Sequence, residues 1–364
     1  MTTRRTFLAG LTASGLLPRA GWADAGAPEF LSAARFPDGS YRLAGLKADG
    51  AIAFTVPLPA RGHCAAAHPM HPVAVGFARR PGAFAVVLDC VSGQMLKRLD
   101  TPKGRHFYGH GAYSADGATL FTTENDFEAG QGVVGVWDVR SGYKRIGEFR
   151  SQGVGPHDIH LMPDGETLVI ANGGIETHPD AGRAKLNIPT MKPNLAYLAL
   201  DGALKEKVEL APELHKSSIR HLALRQDGLV AFAMQWQGDV GDAVPLLGVH
   251  RRGETPLLLK APEDEHRNMH GYAGSVAISR DGRDVAISSP RGNRVQVFDL
   301  EQARFAARFE IEDVCGLAPL KAGFFFTSGL GVAGLETGAD IDTLAHTTCQ
   351  WDNHIIPISP PDRA

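Results

Sequence analysis

Histidines recur at one repeating position of this chain, and imidazole is a side chain that binds transition metals. The chain has 15 histidines among 364 residues. The stretch GPHDIHLMPDG, residues 155–165, places His157 just before a predicted strand and a Pro-Asp-Gly turn. The starts of the corresponding strands carry His63, His110, His157, His221, His270, Cys315 and His354. Imidazole-rich sites suit copper, iron, zinc or nickel, so the pattern predicts a transition-metal site for iron or copper.

Two versions of the ligand shell are consistent with these residues. Glu124, from the same repeat as His110, would complete a mixed nitrogen and oxygen shell suited to iron or zinc. Cys315, with Met234 or Met269 nearby, would shift the preference toward copper. The repeat that contains His63, His68 and His71 is the least regular, and its ligand could be any one of these three.

Polar residues near the same strand ends are expected to support the ligands, since a metal-bound imidazole usually hydrogen-bonds through its other nitrogen. The predicted supporting residues are Asp158, Asn172, Gln235, Gln237 and Arg291. Gln237 and Arg291 could instead bind a polar or anionic ligand, or Arg291 could be a solvated loop charge.

The elements that must position these residues repeat along the chain. A strand, an Asp-Gly turn and a second apolar strand recur, as in ARFPDGSYRLAGL and GSVAISRDGRDVAISS. Asp-Gly is a strong hairpin signal, because its residues accept positive φ. A third and a fourth strand follow, giving units of roughly 40 to 60 residues, which is the period of propeller blades. Seven units across residues 30–358 predict an all-β, seven-bladed β-propeller with four-stranded antiparallel blades around a central channel. The first strand of each blade would line that channel.

The N-terminal segment is typical of a targeting signal. Paired Arg4 and Arg5, an apolar run and Ala23-Asp24-Ala25 predict a twin-arginine signal over residues 1–25 and one propeller domain over residues 26–364. No later apolar run reaches the length of a membrane span. We therefore expect a periplasmic protein that is exported in its folded state.

Charge and cysteine content argue against several classes of function. The net charge is −3, and no basic cluster with interleaved aromatic residues occurs, which argues against a nucleic-acid partner. No pair of cysteines has Cys-x-x-Cys spacing, so structural zinc and thioredoxin-like chemistry are poorly supported. Three disulfide pairings remain open for Cys64, Cys90, Cys315 and Cys349.

The motifs GHGAYS, GPHDIHLMPDG, HGYAGSVAIS and WDNH, together with the twin-arginine start, resemble one known family across essentially the whole chain. It is the family of bacterial exported proteins catalogued as domain of unknown function 1513. The resemblance implies a propeller and a periplasmic role in iron or copper handling. It also implies partners among imelysin-like or other periplasmic iron-uptake proteins, because the genes of the family tend to lie beside theirs.

A more distant resemblance is architectural. The catalytic domain of nitrous oxide reductase is also a seven-bladed propeller with axial histidines that hold a copper–sulfide cluster. This chain lacks the cupredoxin domain of that enzyme, so only the idea of a polyhistidine metal site on a propeller axis carries over.

The sequence thus favours a metal-binding propeller that is accessory to iron acquisition. One alternative is a metal-free interaction propeller that docks an imelysin-like partner, and another is a metal-dependent oxidoreductase. A calcium-dependent hydrolase would need a carboxylate-rich axis, whereas the strand starts offer mostly nitrogen.

Overall fold

The protein is a ring of seven four-stranded antiparallel sheets, as the computed structural model shows for residues 20–79, 83–182, 184–337 and 340–358. The innermost strand of each sheet contacts the innermost strands of both neighbouring sheets. These contacts close the ring around a central channel. The predicted all-β, seven-bladed propeller is therefore confirmed.

The strands follow one another in chain order, except that the last strand of the chain is the innermost strand of blade 1. Blade 1 contains β28 Gln350–Pro357, β1 Phe30–Arg35, β2 Tyr41–Leu46 and β3 Ile52–Leu58. Blade 2 contains β4 Gly62–Ala67, β5 Val73–Ala78, β6 Ala85–Asp89 and β7 Gln94–Leu99. Blade 3 contains β8 Arg105–Tyr113, β9 Thr119–Asp126, β10 Gln131–Asp138 and β11 Lys144–Arg150.

The other four blades have the same order from the channel outward. Blade 4 contains β12 Pro156–Leu161, β13 Thr167–Asn172, β14 Asn194–Ala199 and β15 Leu204–Glu209. Blade 5 contains β16 Ser217–Leu224, β17 Val230–Trp236, β18 Leu247–His250 and β19 Leu257–Leu259. Blade 6 contains β20 Ser275–Ile278, β21 Asp284–Ser289, β22 Arg294–Asp299 and β23 Arg304–Glu310. Blade 7 contains β24 Val314–Pro319, β25 Phe324–Ser328, β26 Val332–Thr337 and β27 Asp340–His346.

Helical segments are short in the part of the chain that the structure describes. They are the helix α1 Glu263–Arg267 and the 3₁₀ turns Trp22–Ala25, Pro179–Ala181, Ile188–Thr190 and Pro212–Leu214. Among these described residues, no helix has the length and apolar character needed to cross a bilayer.

The Asp-Gly hairpins form as predicted, but with a different turn. At the first hairpin, Gly39 N–H donates to the Phe36 carbonyl at 2.9 Å, and Gly39 has a φ of +81°. Asp38 is absent from the positive-φ residues, and its carboxylate accepts from Ser40 N–H at 2.9 Å. The expectation that both turn residues take positive φ was wrong. The turn is a type I turn closed by one left-handed glycine, in which the aspartate serves as a side-chain cap.

The hydrophobic core lies between blades rather than within them. Seven clusters of buried residues each join two neighbouring blades around the whole ring. Alternate residues of a strand point to opposite faces of its sheet, so each blade packs against the blade on either side of it. Every residue of β13 is buried, whereas five of the six residues of the outermost strand β7 are exposed. This packing fixes the radial position of each innermost strand.

Most of the predicted signal segment, residues 1–19, lies outside the described residues. The end of that segment contacts blade 2, where Trp22 is buried and its Nε1–H donates to the His68 carbonyl at 3.0 Å. Cleavage near Ala25 would therefore remove this contact from the mature chain.

The contact between blades 7 and 1 closes the ring, and we expect it to be important for stability. Phe30 and Phe325 are both fully buried, with ring centroids 4.8 Å apart. Phe325→Ala should lower the free energy of unfolding by about 3–5 kcal/mol, because a large buried ring is lost. Leu96→Ala, on the exposed strand β7, should change it by less than about 0.5 kcal/mol. Urea denaturation measures both changes. If the two substitutions lowered the free energy of unfolding equally, closure of the ring would not depend on this contact.

Candidate metal centre

Five histidines from five innermost strands meet inside the channel. They are His63 on β4, His110 on β8, His157 on β12, His221 on β16 and His354 on β28. For eight of the ten pairs, the ring centroids lie between 4.5 Å apart, for His63–His354, and 6.0 Å apart, for His110–His221. We call these five residues the channel cluster. The prediction that imidazoles far apart in sequence would gather at the axis thus agrees with their positions.

Irregular pairing of the innermost strands turns these side chains toward the axis. The β4–β5 register shifts between Gly62 and Ala65, a stretch that contains His63. Similar shifts occur at or directly before His110, His157 and His221, and in β28 before His354. A β-bulge redirects side chains and is common beside functional sites. Five bulges at equivalent places therefore produce the convergence.

Gly109 makes room for the cluster. Its φ is +111°, and a Cβ atom at this position would lie only 2.6 Å from Cδ2 of His63. A larger residue would be strained and would displace His63.

Each histidine of the channel cluster has one buried ring nitrogen without a hydrogen-bond partner. These atoms are His63 Nδ1, His110 Nε2, His157 Nδ1, His221 Nδ1 and His354 Nε2. A buried polar group without a partner costs about 1–3 kcal/mol. These nitrogens are therefore available to a ligand or to water in the channel.

Asp158 orients His110. Its Oδ1 lies 3.0 Å from His110 Nδ1, and its Oδ2 accepts from Leu222 N–H at 3.0 Å. Burial alone would lower the pKa of His110, but Cys64 and Asp158 raise it to about 10. Burial would raise the pKa of Asp158, yet His110 and His160 hold it well below its usual value. This contact leaves His110 Nε2 as the atom that could bind a metal, which would have to displace the proton that the raised pKa keeps on the ring at pH 7.

The other four imidazoles are neutral at pH 7. Burial lowers the pKa of His63 to about 4, although Asp352 opposes the effect. Burial, followed by nearby positive charges, also holds the pKa values of His157, His221 and His354 well below the usual value. Neutral imidazole is the form that binds metals, so protons compete little for these nitrogens.

Cys64 and Asp352 belong to the site, and the sequence reasoning missed both. Among the described residues, two groups of side chains have ligand atoms within 4.8 Å of one another. One group is His63, His110 and His157, and the other is Cys64, His110 and His354. Cys64 is buried next to His63 on β4 and is a free thiol, as are the other three cysteines. Asp352 lies within the quoted WDNH motif, two residues before His354, and its Oδ1 is 3.7 Å from His63 Nδ1.

A family model described as "Protein of unknown function (DUF1513)" matches residues 56–358 of the chain. The chain belongs to this family. Among curated proteins, none has a sequence that matches it significantly. Among solved structures, hydrazine synthase of Kuenenia stuttgartiensis matches with a TM-score of 0.59 and 14% identity, covering 85% of this chain and 89% of that chain. At this identity the likeness shows the shared fold alone.

In this DUF1513 protein, Glu124 lies away from the channel cluster. Its side chain extends outward across β10, where a Cβ atom on Gly135 would be 2.0 Å from Glu124 Oε1. There Glu124 Oε2 accepts from Arg145 Nη2 at 3.0 Å. The expectation of Glu124 as a metal ligand is corrected, because this buried carboxylate is paired with a half-buried arginine on the outermost strand.

His270 is also outside the cluster. It is exposed and follows the helix α1, five residues before β20 begins at Ser275. The helix shifts the start of the innermost strand of blade 6, so a histidine that precedes this strand in sequence remains on the surface.

Four other predicted ligands occupy different surroundings. Cys315 lies on β24 in blade 7, and its Sγ donates to the Asp313 carbonyl at 3.2 Å, outside both ligand groups. Met234 and Met269 are buried in the cores between blades. His68 lies beyond the end of β4, where its Nδ1 accepts from the backbone N–H groups of Met70 and His71.

Of the predicted supporting residues, Asp158 alone contacts a channel histidine within the described parts of the chain. Asn172 hydrogen-bonds Ser151 and Asn194. Gln235 donates to the Ala273 carbonyl, and Gln237 donates to the Gln235 carbonyl. Arg291 stacks on Tyr272 with its guanidinium carbon 4.3 Å from the ring centroid.

The contact between Asp158 and His110 can be tested in metal-free protein. Asp158→Asn should lower the pKa of His110 from its value of about 10, because the imidazolium loses a buried negative partner. The exposed substitution Asp116→Asn, in the same blade as His110, should leave it unchanged. Titration of the imidazole signals by NMR measures both, and an unchanged His110 in Asp158→Asn would contradict the assigned contact.

Proposed function

We propose that this protein is a periplasmic metal-binding propeller whose polyhistidine channel site binds iron or copper, as an accessory to iron acquisition. The observation that carries the proposal is the set of five buried imidazole nitrogens without partners. Their rings lie within 6.0 Å of neighbouring rings of the cluster. One ion bound by several of them would satisfy donors that the folded chain leaves unpaired.

The donor atoms favour copper over iron. The two ligand groups offer imidazole and one thiol, and thiolate with imidazole suits copper. The nearby carboxylates are engaged elsewhere, Asp158 by His110 and Asp352 by Arg61 and Arg79. Iron remains within the proposal because imidazole also suits iron.

The place of the protein in the cell rests on the sequence. The twin-arginine segment supports export, and this pathway carries proteins that are already folded. The connection with iron acquisition, and with imelysin-like partners, is supported by the family resemblance. A metal site would fit that role, since such a protein could hold an ion and pass it to a partner.

Metal analysis of the protein purified from the periplasm tests the site. We expect about one iron or copper ion per chain, which the double variant His110→Ala/His157→Ala should lose. The matched control His270→Ala/His346→Ala removes two exposed histidines and should retain the metal. Metal-free wild-type protein that still binds an imelysin-like partner would refute the metal proposal and favour the interaction role.

Absorption spectroscopy tests the thiol ligand. Wild-type protein loaded with Cu²⁺ should show a thiolate-to-copper charge-transfer band, which Cys64→Ser should abolish. Cys315→Ser should keep the band, because Cys315 lies outside both ligand groups. A band lost in Cys315→Ser and kept in Cys64→Ser would reverse the assignment.

A further inference from the structure

A cavity of about 460 Å³ opens at one end of the channel. Its lining comes from blades 1, 2, 6 and 7, and includes Arg61, Arg79, Tyr272, Arg291, Asp313 and Asp352. Pockets of a few hundred Å³ are the usual size for small-molecule sites. We call it the mouth cavity.

The mouth cavity has an excess of positive charge. Arg35, Arg61, Arg79 and Arg291 line it, against the two carboxylates Asp313 and Asp352. Asp352 is already shared, since it binds both Arg61, at 2.9 Å, and Arg79.

Arg291 is held in place without a carboxylate partner among the described residues. Its guanidinium lies over the ring of Tyr272, whose hydroxyl accepts from Asn353 Nδ2 at 3.3 Å. Stacking on an aromatic ring fixes the plane of a guanidinium while leaving its N–H groups free to donate. The result is a positioned donor at the wall of the cavity.

The mouth cavity is next to the channel cluster. Arg61 precedes His63 by two residues, and Asp352 precedes His354 by two, so the cavity and cluster share strands β4 and β28. His63 contacts this wall through Asp352, whose Oδ1 lies 3.7 Å from His63 Nδ1.

We propose that the mouth cavity binds a small organic polycarboxylate, gripped by Arg61, Arg79 and Arg291. Guanidinium groups bind carboxylates through paired hydrogen bonds and do so most strongly where water is partly excluded. Arg61 and Arg79 lie together at Asp352 on one side, and Arg291 lies on blade 6, so the donors are at two places on the wall. Two separate positions fit carboxylates on a short carbon chain better than they fit one compact phosphate. The proposal goes beyond metal binding, because the arginines alone would bind the carboxylates and no metal is needed.

Calorimetric titration of metal-free protein at low ionic strength tests the proposal, with citrate, succinate and inorganic phosphate as probes. Wild-type protein should bind citrate more tightly than phosphate. Arg291→Gln should weaken citrate binding about ten-fold or more, since a charge-assisted contact is lost. The control Arg140→Gln removes an exposed arginine in blade 3, with 76% of its side chain accessible, and should leave binding unchanged.

Absence of citrate binding, or equal loss in Arg291→Gln and Arg140→Gln, would overturn the proposal. Tighter binding of phosphate than of citrate would also overturn it, because the ligand class would then be different. Since the titration uses metal-free protein, these outcomes are separate from the metal analysis. Citrate binding that depends on Arg291 would stand even if the channel cluster bound no metal.

Discussion

The site depends on closure of the ring with bulged innermost strands. Alternation in a regular strand would place some of the five imidazoles between blades, whereas a bulge lets each strand turn one histidine toward the axis. The pairing of β28 with β1 then brings His354 beside His63 from opposite ends of the chain. Because the seven inter-blade cores fix every innermost strand, the imidazoles are held by rigid elements rather than by loops, which suits a preorganised ligand site.

Electrostatics follow from that geometry. A buried positive charge requires a partner, and His110 has one in Asp158. Among the described residues, the one other carboxylate that contacts a cluster histidine is Asp352, beside His63, and Arg61 and Arg79 already neutralise it. Burial therefore keeps the remaining imidazoles neutral. The centre of the channel thus combines unprotonated nitrogen donors with the Cys64 thiol. A site that presented free carboxylates instead would suit harder ions such as calcium.

The blades could be predicted because each carries its own local signal, an Asp-Gly turn between apolar strands. The repeated position of the strand starts also located five channel histidines, since equivalent strand starts meet at the axis. It failed at His270, where the helix α1 intervenes before the strand, and at Glu124, whose direction depends on the space left by Gly135. Cys64 was missed because a bulge turns it toward the site together with its neighbour His63. Asp352, two residues before His354, was missed because only the histidine of the WDNH motif was considered as a candidate. Residues within a bulge do not follow the two-residue alternation of a regular strand, so the sequence pattern does not predict which way their side chains point.

The channel cluster is not symmetric, and this asymmetry has a chemical consequence. Blades 1 to 5 each contribute one histidine, whereas blades 6 and 7 contribute none and instead line the mouth cavity with Tyr272, Arg291, Asp313 and Cys315. A full ring of imidazoles would surround an ion completely, but an incomplete ring leaves one side of it open. Beside this gap, on β28 of blade 1, is Asp352, which contacts His63 as well as Arg61 and Arg79. A carboxylate ligand that drew either arginine away would leave more negative charge facing His63 and strengthen the attraction for a cation. If the cavity and the channel bind the ligands proposed above, this shared aspartate would couple occupancy of the cavity to the affinity of the channel for a positive ion.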